Sequence, residues 1–272
     1  MGFVKFKNWR IEFNTRLPSA DKLVPQLAQC VHYPEFTGSF PEICEYSDIN
    51  NQYGRNFIRQ QLHTLLQPNP LTSIELYELL AQLDTPLIII SGCMGNGLET
   101  AFEHQGKKFA LLSHSVEHIG TLLLKCSDQT ELKLDASENV SGLSLLEQGY
   151  SVIYKILGCF SLNQTLSVNQ RDSLMLSEQD YFTFIRHTDK LIPHYLIRQL
   201  THRGFWLLGH YLNSWENRLI VKEILKKRAH GELALSIHKQ ADNFARVFWE
   251  NERVKNYNVD LKEFVEHLRV YL

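Results

Sequence analysis

Hydrophobic positions divide the chain into two textures. Up to about residue 84 they recur at helical spacing. Leu23, Leu27 and Val31 fall on one face of a segment that Ser19 can cap. The stretch "YPEFTGSFP" reads as a loop. In "NNQYGRNFIRQQLHTLLQ", Phe57, Ile58, Leu62, Leu65 and Leu66 keep helical spacing until "PNP" ends it. Thr72 or Ser73 is then placed to cap "IELYELLAQL". From Thr85 short apolar runs take over. "PLIII", "KKFALLS", "TLLLKC", "YSVIYKIL", "GFWLLG" and "LALSI" read as strands, several of them covered on both faces. "ELKLD" alternates and can pair back across the polar turn Ser127-Asp128-Gln129. Helical patterns separate the strands: "LETAFEHQ" closed by Gly106, "SEQDYFTFIRH" opened by a capping serine, "IPHYLIRQLTH" with Pro193 in its first turn, "NSWENRLIVKEILKKR", "NFARVFWENERVKN" and "DLKEFVEHLRVYL". Strands alternating with helices predict a mostly parallel sheet covered on both faces.

Composition adds exclusions. The 272 residues carry a formal charge of −2, with 44% hydrophobic and 21% charged residues. That balance is ordinary for a globular protein and gives no sign of a nucleic-acid or anionic-membrane surface. Cys30, Cys44, Cys93, Cys126 and Cys159 contain no CxxC pair, so no zinc ribbon is expected, and the thiols read as free in a reducing compartment. No apolar run reaches membrane-spanning length. "MGFVKFKNWRIEF" lacks the apolar centre of a signal peptide, and a cytoplasmic location is the expectation.

Four features carry candidate chemistry. "PLIIISGCMGNGLETAF" is a strand, a glycine-rich turn and a helix. Its Gly92, Gly95 and Gly97 are spaced G-x-x-G-x-G, whereas a dinucleotide fingerprint needs G-x-G-x-x-G and a P-loop needs Lys-Ser/Thr. A ligand loop and a plain packing turn are both open on spacing, with the packing turn favoured. "HSVEH", His114 to His118, matches the inverted zincin pattern, but a strand before it and Gly120 after it leave no room for a long helix. His187, His194 and His202 have near-helical spacing without a carboxylate cluster and read as surface residues. Cys93, at a strand end, is either a packed thiol or a nucleophile without an assigned base. Gly209 follows another buried strand at the same edge of the sheet; the plainer reading is a strand-to-helix turn with Trp215 as core.

Five stretches in order resemble the bacterial sirtuin-like (silent information regulator two-like) proteins, many of which consume NAD in phage defence. "LPSADKLVPQLAQCVHYP" is similar to the family's opening segment. "LIIISGCMGNGLETAFEHQGKKF" resembles a strand, a Thr-Thr-Asn-Tyr-Asp turn and a Leu-Glu-Arg-Ala-Phe helix. "VIYKILGCF" resembles a strand ending in Lys-Leu-His-Gly, "LMLSEQDYFTFI" a Leu-Thr-Glu-x-Asp-Tyr helix start, and "WLLGHYLNSWENRLIVKEIL" a Leu-Gly-Tyr-Ser-Leu-x-Asp-Trp-x-x-Arg segment. The C-terminal "FWENERVKNYNVDLKEFVEHL" also fits. The resemblance implies an α/β fold with a sirtuin-like, Rossmann-type, mostly parallel sheet. One unit over 1–272 is expected, with a helical module at about 19–84 and an α/β core at about 85–272.

The departures fall on the reaction. No glycine stands in "RIEFNTRLPSA", where the family's first strand carries Gly-Ala-Gly. Aligned on Leu98-Glu99-x-Ala101-Phe102, Cys93 takes the place of the catalytic asparagine, Met94 of the tyrosine and Gly95 of the aspartate. Leu157 takes that of the histidine before Gly158, and Tyr211 that of the serine after Gly209. NAD cleavage needs a group that activates water and groups that stabilise a ribosyl cation-like transition state, and these replacements supply neither. The expectation is therefore a domain with no catalytic residues and no metal, acting as a binding or regulatory module. An active NAD hydrolase using Cys93, Asn96 or Glu99, or a nucleotide sensor, are the alternatives. Gly92, Cys93, Asn96, Gly158, Gly209 and Asn213 are the positions where NAD or a related nucleotide would bind. A protein partner or a second copy is expected, without nucleic acid, membrane or zinc.

Overall fold

A computed structural model describes residues 2–5, 20–34, 38–50, 52–66, 75–116, 118–128, 131–135, 145–160, 172–201, 204–208, 215–227, 234–237 and 243–270. Its strands are β1 (Gly2–Lys5), β2 (Ile88–Ser91), β3 (Phe109–His114), β4 (Thr121–Cys126), β5 (Glu131–Asp135), β6 (Ser151–Lys155), β7 (Phe205–Leu208), β8 (Ala234–Ile237) and β9 (Lys255–Tyr257). They form one sheet in the order β5-β4-β3-β6-β2-β1-β7-β8-β9. Every neighbouring pair from β3 to β9 is parallel, and β4 and β5 extend one edge antiparallel. All residues of β2, β3 and β6 are buried, which is why these strands read as apolar runs rather than alternations.

Helices α1 (Ala20–Cys30), α2 (Phe40–Ile49), α3 (Gly54–Leu66) and α4 (Glu75–Gln82) lie in sequence between β1 and β2. Then follow α5 (Gly97–His104), α6 (Glu178–Arg186), α7 (Thr188–Leu191), α8 (His194–Leu200), α9 (Trp215–Leu225), α10 (Asn243–Asn251) and α11 (Leu261–Arg269). The period of two along each strand sorts the core. Ile88, Ile90, Val152, Tyr154 and Leu207 face α6, α8, α9 and α10, whereas Ile89, Leu111, Ile153 and Leu208 face α4, α5 and α11. A third apolar cluster joins α1, α2 and α3 to Cys93, Met94, Leu174 and Leu176 at the carboxyl edge of the sheet.

Three elements depart from the sequence expectation. The stretch expected as a loop ends in α2, whose start is fixed by a capping box: Ser39 accepts from the Glu42 amide and the Glu42 carboxylate accepts from the Ser39 amide. Strand β1 precedes the helices and occupies the middle of the sheet; residues 6–19, including "RIEFNTRLPSA" up to Ser19, lie outside the described residues. The helix expected over "NFARVFWENERVKN" stops at Asn251. Arg253 turns the chain at φ 54°, and Lys255 begins β9. Among the described residues no helix is long and apolar enough to cross a membrane.

Candidate functional site

The glycine-rich turn lies where β2 hands over to α5, beside the end of β6. Ser91 and Lys155 are register partners at the ends of these strands. Lys155 is completely buried. Its ammonium donates to the carbonyl oxygens of Cys93 (3.0 Å) and Gly95 (2.6 Å) and pairs with Glu99 Oε2 at 2.9 Å. The ammonium thus has two carbonyl acceptors and one carboxylate counter-ion. Burial alone would lower the lysine pKa, but the Glu99 carboxylate outweighs it and holds the ammonium above its ordinary value. Glu99 is itself only 4% exposed, and neither of its carboxylate oxygens has a hydrogen-bond partner beyond the ion pair with Lys155. Tyr77 reaches the same place from α4. Burial, with Cys93 and Glu99 beside it, pushes its phenol well up.

This geometry decides what the turn can hold. A phosphate cradle presents amide N–H groups to an anion. Here two carbonyl oxygens point inward at a cation of the protein itself, and the Cys93 amide is spent on Ser91 Oγ at 3.2 Å. Glu99 already supplies the negative charge that favours the first turn of α5. The glycines have other reasons. A Cβ on Gly97 would lie 3.3 Å from the Tyr77 ring, so the third glycine lets α5 pack on α4.

The structure brings together some of the candidate positions. Gly92 and Cys93 are buried in the turn, and Asn96 is the exposed N-cap of α5, without a side-chain capping bond. Cys93 and Met94 sit in the apolar cluster with Leu23, Leu27, Ile58 and Leu62, and Leu157 packs against it. Gly158 closes the end of β6 at φ 79°; a Cβ there would come within 1.9 Å of the Ser173 carbonyl oxygen. Its missing side chain therefore makes room for the chain's own backbone. Gly209, Tyr211 and Asn213 lie outside the described residues. Trp215, expected as core, is 36% exposed and stacks on Phe182 at 6.4 Å. Its position at the first residue of α9 brings it to the surface.

Sequence reasoning missed Lys155 and Tyr77. The Lys155 signal was a lone cation inside an otherwise apolar strand.

His114 has a structural setting in the sheet. His114 ends β3 and the chain turns directly into β4, so the long helix of a zincin does not form; Glu117 lies outside the described residues. Tyr154 donates its one proton to the Leu191 carbonyl oxygen (3.0 Å), so the 3.0 Å contact with His114 places the imidazole proton on Nδ1. Burial pushes this histidine down to about 4 and keeps it neutral. His187 and His194 stand at helix junctions, and His202 lies outside the described residues. Among the described residues no three His, Cys, Asp or Glu side chains are grouped to hold a metal ion.

An open sheet that turns from one direction of winding to the other at β1, with helices on both faces, defines a doubly wound, Rossmann-type α/β protein. A family model, the SIR2-like domain, matches residues 96–258, more than half of the chain, and the chain belongs to that family. The match starts at Asn96, just past the turn that Lys155 anchors. A search among curated proteins finds no match.

Proposed function

We propose that this SIR2-like domain has lost NAD cleavage and serves as a binding or regulatory module for a protein partner or for further copies of itself. One observation carries this reading: the carbonyl oxygens of Cys93 and Gly95 are committed to the buried Lys155 ammonium. The turn aligned with the family's catalytic turn is thereby fixed with its acceptors inward and with Met94 in an apolar cluster. Leu157 and Cys93 offer no base and no amide at the positions where the resemblance calls for them. A role in bacterial anti-phage defence in the cytoplasm, beside an active effector, is the biological setting that the resemblance suggests.

Titration calorimetry with NAD and with ADP-ribose, run with an assay for nicotinamide release, tests the proposal. Neither turnover nor heat is expected. Turnover abolished by Cys93→Ala would replace it with an active NAD hydrolase. Saturable binding without product would replace it with a nucleotide sensor.

A further inference from the structure

Away from the turn, three carboxylates converge on one guanidinium. Arg55, in α3, donates through Nε to Asp172 (2.5 Å) and through Nη1 to Asp180 (2.9 Å) and Asp48 (3.2 Å). Its Nη2 donates to the Leu174 carbonyl oxygen at 2.6 Å. Arg59, one helical turn further on, is 3.7 Å from Asp172. Glu45, on α2, accepts from the Gln179 amide at 3.1 Å and adds a fourth carboxylate. The buried Cys44 thiol and the Tyr181 phenol, which lies beside Asp180 and Cys44, also face this point; burial pushes both well up, so they stay neutral. Two cations therefore face four carboxylates.

Two of the aspartates have further bonds. Asp172 Oδ1 accepts from the Leu174 amide at 3.0 Å, and Asp180 Oδ2 accepts from the amides of Leu176 (2.8 Å) and Ser177 (3.0 Å). Asp48 has the single 3.2 Å contact with Arg55, and its Oδ1 is buried without a hydrogen-bond partner. Its charge is the surplus one.

We propose that Asp48 is a proton-operated latch: when it takes up a proton in mildly acidic solution, helices α2 and α3 seat more tightly on the segment 172–180 of the α/β core. A neutral carboxyl removes the repulsion from Asp180 and Glu45 and lowers the desolvation cost of the buried, unpartnered side of Asp48. Burial raises this carboxyl, Arg55 draws it down and Asp180 raises it again, leaving it at about 6. A folded-state pKa above the ordinary carboxylate value means that the stabilisation is complete below about pH 4 and is lost as pH rises through about 6. The latch acts on Leu174, whose backbone fills the space beside Gly158 at the end of β6. It thus bears on the carboxyl edge of the sheet, and it stands whether or not a nucleotide binds there.

Carboxyl-carbon NMR titration of the full chain, with amide hydrogen exchange at pH 5.0 and 7.5, tests the latch in the parent and in Asp48→Asn. One aspartate of the parent titrates near pH 6, and this signal is absent from Asp48→Asn. Corrected for intrinsic rates and taken relative to Asp48→Asn, in which His114 and the other groups titrate alike, protection of α2 and α3 in the parent falls about tenfold from pH 5.0 to pH 7.5, because pH 5.0 lies about one unit below the Asp48 midpoint. An Asp48 midpoint in the ordinary range near pH 4, measured in the parent alone, overturns the proposal. So does an Asp48→Asn protein whose protection keeps the parent's pH dependence.

Discussion

Replacing Lys155 by methionine keeps the volume of the side chain and removes its charge, which isolates the electrostatic role of the anchor. The substitution leaves Glu99, 4% exposed, as a buried carboxylate without a counter-ion. It also leaves the Cys93 carbonyl without its donor, while the half-exposed Gly95 can turn to water. Breaking a buried ion pair from one side costs about 3–5 kcal/mol. An unfolding entropy of about 2.1 cal/mol/K per residue makes each kcal/mol worth about 2 °C in a chain of this length. Scanning calorimetry should therefore show Lys155→Met melting about 6–10 °C below the parent. Lys155→Met/Glu99→Leu, which removes both charges, should recover most of the loss, because the desolvation of two ions disappears with their attraction. A coupling energy of at least about 2 kcal/mol between the two sites is expected. If Lys155→Met melts within about 1 °C of the parent, or the double variant loses the sum of the single losses, the pair is not what holds the turn.

Three further outcomes follow from buried groups elsewhere. His114, neutral in the fold and held down at about 4, contributes stability that is present above about pH 6.5 and is lost as pH falls towards 4, at up to about 1.4 kcal/mol per pH unit; denaturant titrations at pH 7 and pH 5 should show this slope in the parent and a flatter one in His114→Gln. Gly158→Ala should yield no folded protein or lose more than about 4 kcal/mol, because its Cβ would strike the Ser173 carbonyl, whereas Gly106→Ala, at φ 62° with open space, should lose only about 1–2 kcal/mol in the same denaturation assay. Cys30 is half-buried and the other four cysteines are buried, so a native thiol titration should find one fast thiol and a denatured one all five; a fast-reacting Cys93 in peptide mapping would contradict the packing described.

Strands covered on both faces were legible because a short, uninterrupted apolar run between segments of helical spacing has neither the length nor the period of a helix. Strand β9 was not: Lys255 and Tyr257 are exposed at the sheet edge, so nothing apolar marks it. Helix α2 was hidden by "TGSFP", which reads as a turn unless Ser39 is paired with Glu42 as a capping box. The turn after β2 was legible as a turn, but not in its orientation. Which way its peptide groups face depends on Lys155, a residue from another strand, and on Glu99, which makes a buried ammonium tolerable. Pairwise burial of this kind leaves no periodicity. Gly158 is similar: its positive φ could be suspected at a strand end, but the approach of Ser173 could not.

The matches and the departures divide by physical role. Glu99 and Lys155, both inside stretches that resemble the family, form the buried pair beneath the turn. Gly158 admits the Ser173 backbone, and Asp180 completes the capping box that Ser177 begins at α6 while holding Arg55. Each of these retained residues has a structural task that would persist without any reaction. Cys93, Met94 and Leu157, which stand where the resemblance places the reacting groups, lie in or against the apolar cluster between the sheet edge and α1–α3. Apolar contact there strengthens the seating of the helices and gives nothing to a transition state. Charges that support the turn, beside apolar groups at the positions it would present, are the pattern expected under the proposed loss of NAD cleavage.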